Sequence, residues 1–232
     1  MKYMYIKIVL TIILIICVAN LICLKRTNEN LLEVFFSQNN NPYYILVDLD
    51  TYIMYVFKDN EMYKEYPVSG GKYSTPSPLG TWNIVSKANW GEGFGGTWMG
   101  FNVPWGKYGI HGTDEPWSIG SGLSKGCIRM YNDDAKDLKK YIPYGTKVTI
   151  IKGPYGPFGD GLRTLTPGDT GSDVFAVQER LKELGYYKGY CDGKYGDGLK
   201  SAIFKYENDK GLPRSYYITE TLYESLGFIP FE

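Results

Sequence analysis

Residues 153–161, GPYGPFGDG, divide the chain into two kinds of pattern. Before them the apolar residues alternate, and after them they recur every three to four residues. From Tyr43, YYILVDL and TYIMYVF are β-branched and aromatic runs joined by Asp48–Thr51, which predicts a hairpin. MYKEYPVSGG continues the pattern, GTWNIVSK is another strand, and TWMGFNV and KYGIHG are two more. Asn132 is the predicted N-cap of a helix running through about Tyr141, with Asp133 and Asp134 favourable in its first turn. Pro143, Tyr144 and Gly145 form a turn, and TKVTIIK is a closing strand. Beyond the Gly/Pro stretch, Val174, Val177, Leu181 and Leu184 share one helical face, with Gly185 as C-cap. Leu199, Ala202, Ile203 and Tyr206 repeat that spacing up to Gly211, and Leu222 and Leu226 mark a third, short helix. The expected body is therefore a mainly β domain with one helix (43–152), a Gly/Pro linker (153–161) and a small all-α three-helix domain (162–232).

The N-terminus stands apart. Residues 8–24, IVLTIILIICVANLICL, carry no charge and are flanked by Lys2, Lys7, Lys25 and Arg26. The run lies at the short end of what spans a bilayer, roughly 17–25 residues. No A-x-A cleavage site follows it. Residues 1–26 are thus expected to be an uncleaved transmembrane anchor, and the polar residues 27–42 a stalk. Flanking basic residues balance, so they do not set the orientation. Lys+Arg and Asp+Glu also balance, at 25 each, which leaves no basic field for a nucleic-acid partner.

Of four cysteines, Cys17 and Cys23 fall in the anchor, neither preceded by the small residue that lipid attachment would want. Cys127 and Cys191 remain, which is no disulfide framework, although one bridge between them is the alternative in an exported protein. His111 is the only histidine, at the end of an apolar strand run in YGIHGTDE. On its own it reads more readily as a structural residue. Cys127 sits in SKGCIRMYNDD. A nucleophilic thiol must become a thiolate, and free Cys titrates near 8.5 unless a neighbour lowers it. Gly126 lets a substrate backbone approach and leaves amide N–H groups for an oxyanion. If the stretch is extended, Arg129 shares a face with Cys127 and could hold a substrate carboxylate. No C-x-x-C and no second histidine is available, so neither metal nor cofactor is expected.

His111-Gly112-Thr113, followed by Ser124-Lys125-Gly126-Cys127-Ile128-Arg129-Met130, resembles the active-site signature of the L,D-transpeptidase (YkuD-like) family. Thr75-Pro76-Ser77-Pro78-Leu79-Gly80-Thr81-Trp82 resembles its upstream turn and strand. The resemblance implies a β-sandwich with one helix, Cys127 as nucleophile and His111 as base. It assigns Gly126, Ser124, Lys125, Arg129 and Gly112 to the oxyanion and substrate. Lys125 stands where many members carry a second histidine. The implied reaction attacks the L-centre of a diamino acid in a tetrapeptide stem, releases D-Ala and passes the acyl group to a neighbouring stem as a 3→3 crosslink. With water as acceptor it would be an L,D-carboxypeptidase. The partners implied are peptidoglycan stem peptides and glycan, met outside a membrane that the single-pass anchor crosses.

Leu165-Thr166-Pro167-Gly168, Gly171–Val174, Val177–Leu181, Leu184-Gly185-Tyr186 and Asp192-Gly193-Lys194-Tyr195-Gly196 resemble the peptidoglycan-binding type 1 domain. Leu199, Tyr206 and Glu207 depart from its usual residues. Cys191 then falls at a small core position. The resemblance makes this domain a tether that holds the enzyme on its polymer. Two rival readings remain: another cysteine wall hydrolase, disfavoured because His111 precedes Cys127, and a non-catalytic wall-binding protein.

Overall fold

The computed structural model describes residues 41–228; the expected anchor (1–26) and most of the expected stalk (27–42) lie outside the described residues. β1 (Tyr43–Asp48) and β2 (Ile53–Lys58) form the expected hairpin, in register from Tyr43 opposite Lys58 to Asp48 opposite Ile53. Ile45, Val47, Met54 and Val56 are fully buried, as alternation requires of one face. The Asp48 carboxylate stabilises the turn by accepting from the Asp50 N–H and the Thr51 hydroxyl, each at 2.9 Å. β3 (Glu61–Gly71), β4 (Gly80–Ala88), β5 (Trp98–Phe101), β6 (Gly109–His111), β7 (Gly122–Ser124), β8 (Ile128–Met130) and β9 (Lys147–Ile151) follow.

The expected sandwich of two stacked sheets is corrected. Among the described residues the strands form one nine-stranded sheet in the order β2-β1-β9-β4-β5-β6-β8-β3-β7. A further β2–β3 pairing closes it into a ring, with β7 attached outside. Closure leaves those strands without free edges, which an open sandwich must protect by other means. The strands β7 and β8 are new relative to the sequence reading; at three residues each they are too short to display a period. Helix α1 (Asn132–Tyr141) closes the barrel with Ala135 and Leu138. Its N-cap is Tyr131 rather than Asn132.

The C-terminal helices are α2 (Ser172–Glu183), α3 (Asp197–Lys210) and α4 (Glu220–Ser225). Val174, Val177, Leu181, Leu199, Ile203, Tyr206 and Leu222 build their core, as the 3.6-residue spacing implies. Cys191 is a buried free thiol and Cys127 a half-buried one, so no bridge joins them. The Gly/Pro stretch is not a loose linker. It carries a 3-10 turn (Gly156–Phe158), and Phe158 packs against Tyr223 and Phe228. Lys152 pairs with Asp160 at 2.5 Å. Tyr43 onward accordingly forms one compact unit.

Candidate active site

β6 and β8 run parallel, with Ile110 opposite Ile128 and His111 opposite Arg129. Ile110, Ile128 and Met130 are fully buried in the barrel core. Alternation therefore turns His111 and Arg129 to the other face, and Cys127 immediately precedes β8. The stretch after Cys127 is extended as β8 before the helix begins, while Cys127 itself lies in a bend. The Arg129 charge acts on both the His111 imidazole and the Cys127 thiol. The Arg129 guanidinium is itself held by the Glu115 carboxylate at 2.6 Å and the Ser118 hydroxyl at 3.3 Å.

The turn before Cys127 is fixed by its small residues. Gly126 has φ +109°, a region that L side chains rarely adopt. An added Cβ would lie 2.6 Å from Tyr108 Cε1 and 3.0 Å from the Pro76 carbonyl oxygen. The Thr75-Pro76 turn thus backs the turn before Cys127, which gives that sequence motif its physical reason. Buried Ser124 donates its hydroxyl to the Cys127 carbonyl at 2.6 Å and accepts the Gly126 N–H at 3.0 Å. The Gly126 N–H is therefore already occupied within the turn that precedes Cys127. Lys125 is exposed and makes no hydrogen bond or ion pair among the described residues.

His111 is 5% exposed. Its Nδ1 faces the Gly112 carbonyl, which can only accept. Nδ1 therefore carries the proton, and Nε2 keeps the lone pair that a general base needs. Gly112 is required to be small, because a Cβ there would overlap Asn132 Oδ1. Asn132 does not cap α1; its Oδ1 accepts the Thr113 N–H at 2.8 Å and ties the helix start to the segment after β6. A glycine-rich loop, Asn89–Thr97 by sequence position, covers the imidazole with rings that the sequence reading missed. Phe94 lies 4.8 Å from the His111 ring centroid, and Trp98 is roughly parallel to it at 6.0 Å. Trp90 stacks on Trp98 at 4.2 Å. Aromatic residues interleaved with glycines (NWGEGFGGT) were the available signal.

Burial holds the His111 imidazole below its ordinary value, opposed by the Gly112 carbonyl and aided by the Arg129 charge. Burial pushes the Cys127 thiol up, while a backbone hydrogen bond from Gly109 and the Arg129 guanidinium pull it down. Both directions favour the uncharged forms, a neutral imidazole and a neutral thiol. No group of three or more His, Cys, Asp or Glu residues suited to a metal occurs among the described residues.

Residues 42–150 match the family model for the YkuD L,D-transpeptidase catalytic domain, and residues 170–215 match the "Putative peptidoglycan binding domain". Over 110 residues the chain is 41% identical to the "Putative L,D-transpeptidase YkuD" of Bacillus subtilis (strain 168), covering 47% of this chain and 66% of that protein, just under two thirds. Over 123 residues it is 36% identical to the "Putative L,D-transpeptidase YqjB" of the same strain, covering 46% of this chain and 70% of that protein. A crystal structure of an L,D-transpeptidase from Enterococcus faecium aligns with TM-score 0.43 and 26% identity, covering 47% of this chain and 50% of that one.

Proposed function

This chain belongs to the YkuD family of L,D-transpeptidases, and from that premise we propose that it crosslinks peptidoglycan through a thioester on Cys127. The Cys127 sulfur attacks the carbonyl at the L-centre of the diamino acid in a tetrapeptide stem. His111 Nε2 takes the thiol proton and returns it to the departing amine, so that D-Ala leaves and the acyl-enzyme remains. The side-chain amine of a second stem then attacks the thioester, the thiol is regenerated, and a 3→3 crosslink results. The Cys127 N–H stabilises the oxyanion in both steps. Arg129 sets the field at the site and binds a substrate carboxylate in exchange for Glu115. Ser124 and Gly126 shape the turn, Gly112 orients the imidazole, and exposed Lys125 meets the substrate from solvent.

The single observation that carries this reading is the β6–β8 register, which sets His111 opposite Arg129, two residues after Cys127. The test is incubation of the protein with purified disaccharide-tetrapeptide, with products read by mass spectrometry. A crosslinked dimer lacking one D-Ala is expected, and none from Cys127→Ser. Tripeptide alone would mean an L,D-carboxypeptidase. An unchanged substrate would refute the reading.

The substrate lies outside the membrane, so the folded body faces outward, residues 8–24 anchor it, and the C-terminal module meets the wall polymer. Protease added to intact spheroplasts should then remove residues 43–232. Protection of that part while the membrane stays sealed would overturn this orientation.

A further inference from the structure

On α2, Val174, Val177 and Leu181 face the three-helix core, but Phe175 lies off that stripe. An apolar ring there needs another partner, and it has two on the barrel. Its centroid lies 5.6 Å from that of Trp82 and 5.7 Å from that of Trp105, and those two indoles meet edge to face at 5.2 Å. A second contact comes from the loop between α2 and α3. Gly193 has φ +66°, and a Cβ on it would overlap Trp105 Cε3. That glycine is braced: its N–H donates to Gln178 Oε1 at 2.7 Å. Fully buried Gln178 in turn donates to Asp192 Oδ1 at 2.9 Å and to the Lys194 carbonyl at 3.0 Å. The Asp192-Gly193-Lys194 motif is thus a rigid seat for an indole of the catalytic domain.

From Trp105 the contacts continue to the nucleophile. The Trp105 and Tyr108 rings meet edge to face at 6.5 Å. Tyr108 covers Gly126, which is glycine because a side chain would strike that ring. The neighbouring Lys107 carbonyl faces Cys127 Sγ at 3.9 Å. Tyr108 is anchored at its backbone, where its carbonyl accepts the Phe101 N–H at 2.8 Å. Burial raises the Tyr108 phenol most, a hydrogen bond with Trp105 lowers it, and the nearby Cys127 raises it further. The segment from Trp105 to Tyr108 is therefore one wall of the Cys127 site, and its outer side rests on the C-terminal module.

We propose that the C-terminal module positions the active site: Phe175 and Gly193 hold Trp105, and Trp105 holds Tyr108 against Gly126 beside Cys127. Phe175 and Trp105 are then positioning residues, a role distinct from any wall binding by the same module. The inference rests on the reading of Cys127 as the nucleophile. Loss of the wedge leaves a large indole without its cover and frees the loop, and a misplacement of about 1 Å can cost about 100-fold in rate.

The test uses the full chain carrying Phe175→Ala, Phe175→Leu, Trp105→Leu and the Phe175→Ala/Trp105→Leu double variant. Alkylation of Cys127 by iodoacetamide is measured against pH, alongside kcat and KM on soluble disaccharide-tetrapeptide. Circular dichroism reports the fold of each variant. Phe175→Ala should alkylate faster and at lower pH, because burial is what raises the thiol, while kcat falls by up to about 100-fold and KM changes less. Phe175→Leu should recover most of both. The double variant should be no worse than the poorer single one, since both act through one chain of contacts. Trp105→Leu keeps the three-helix core intact and decides the matter should Phe175→Ala fail to fold. Wild-type alkylation and kcat in Phe175→Ala, or additive losses in the double variant, would overturn the proposal. If wild-type protein leaves the tetrapeptide unchanged, the transpeptidase reading fails, and the alkylation profiles still decide the positioning.

Discussion

Ser124 Oγ lies 2.6 Å from the carbonyl oxygen of Cys127 and closes the turn that leads into that cysteine. Ser124→Ala would leave that carbonyl and the buried Gly126 N–H unpaired, at about 1–3 kcal/mol for such a loss. A fall in Tm of about 2–4 °C per kcal/mol is expected for a chain of this size. Turnover should fall with it, and Ser124→Thr, which keeps the hydroxyl, should retain more of both. Calorimetry and tetrapeptide turnover check this; wild-type values in Ser124→Ala would show the hydroxyl to be dispensable.

Gly126→Ala combines a positive φ, costing about 1–2 kcal/mol for an L residue, with a collision against Tyr108. Activity should be nearly lost although Cys127 and His111 are untouched. Full turnover in this variant would mean that the Tyr108 wall yields freely.

The Cys127 thiol is raised by burial, so a preformed thiolate should be scarce at neutral pH. Its alkylation rate should climb through the alkaline range, above the ordinary value of about 8.5, without a plateau in weak acid. Arg129→Gln removes a charge that lowers the thiol, so its profile should move further up. A plateau in weak acid would instead reveal a resting thiolate–imidazolium pair.

His111 is lowered by burial, so the unfolded chain binds its proton more readily than the folded one. The sign follows: this contribution is fully present above the unfolded value of about 6.5 and is lost as pH falls through the lower folded value. Denaturant unfolding of wild type against His111→Gln across that window should show the wild type losing more stability on acidification. The sole histidine also gives one C2–H resonance to titrate, and a midpoint above 6.5 would contradict the assignment.

Much of this was legible in the chain itself. Alternation located β1, β2 and β4, and the spacing of Val174, Val177 and Leu181 located α2, because each pattern reports a face that must be buried. The His111 and Cys127 motifs were legible as a family signature, and the family they resemble is the one whose catalytic-domain model matches residues 42–150. Ring closure was not, since strands of three residues carry no period and their pairing is a long-range choice.

The tertiary structure alone decided that the Gly126 N–H belongs to Ser124, that Asn132 ties Thr113 instead of capping its helix, and that Trp90, Phe94 and Trp98 cover His111. The sequence by itself determined that Phe175 lies off the buried stripe of its helix, since helical geometry sets that angle from spacing alone. What receives it depends on which distant surfaces the folded chain brings within reach, and that choice made Trp82 and Trp105 its partners on the barrel.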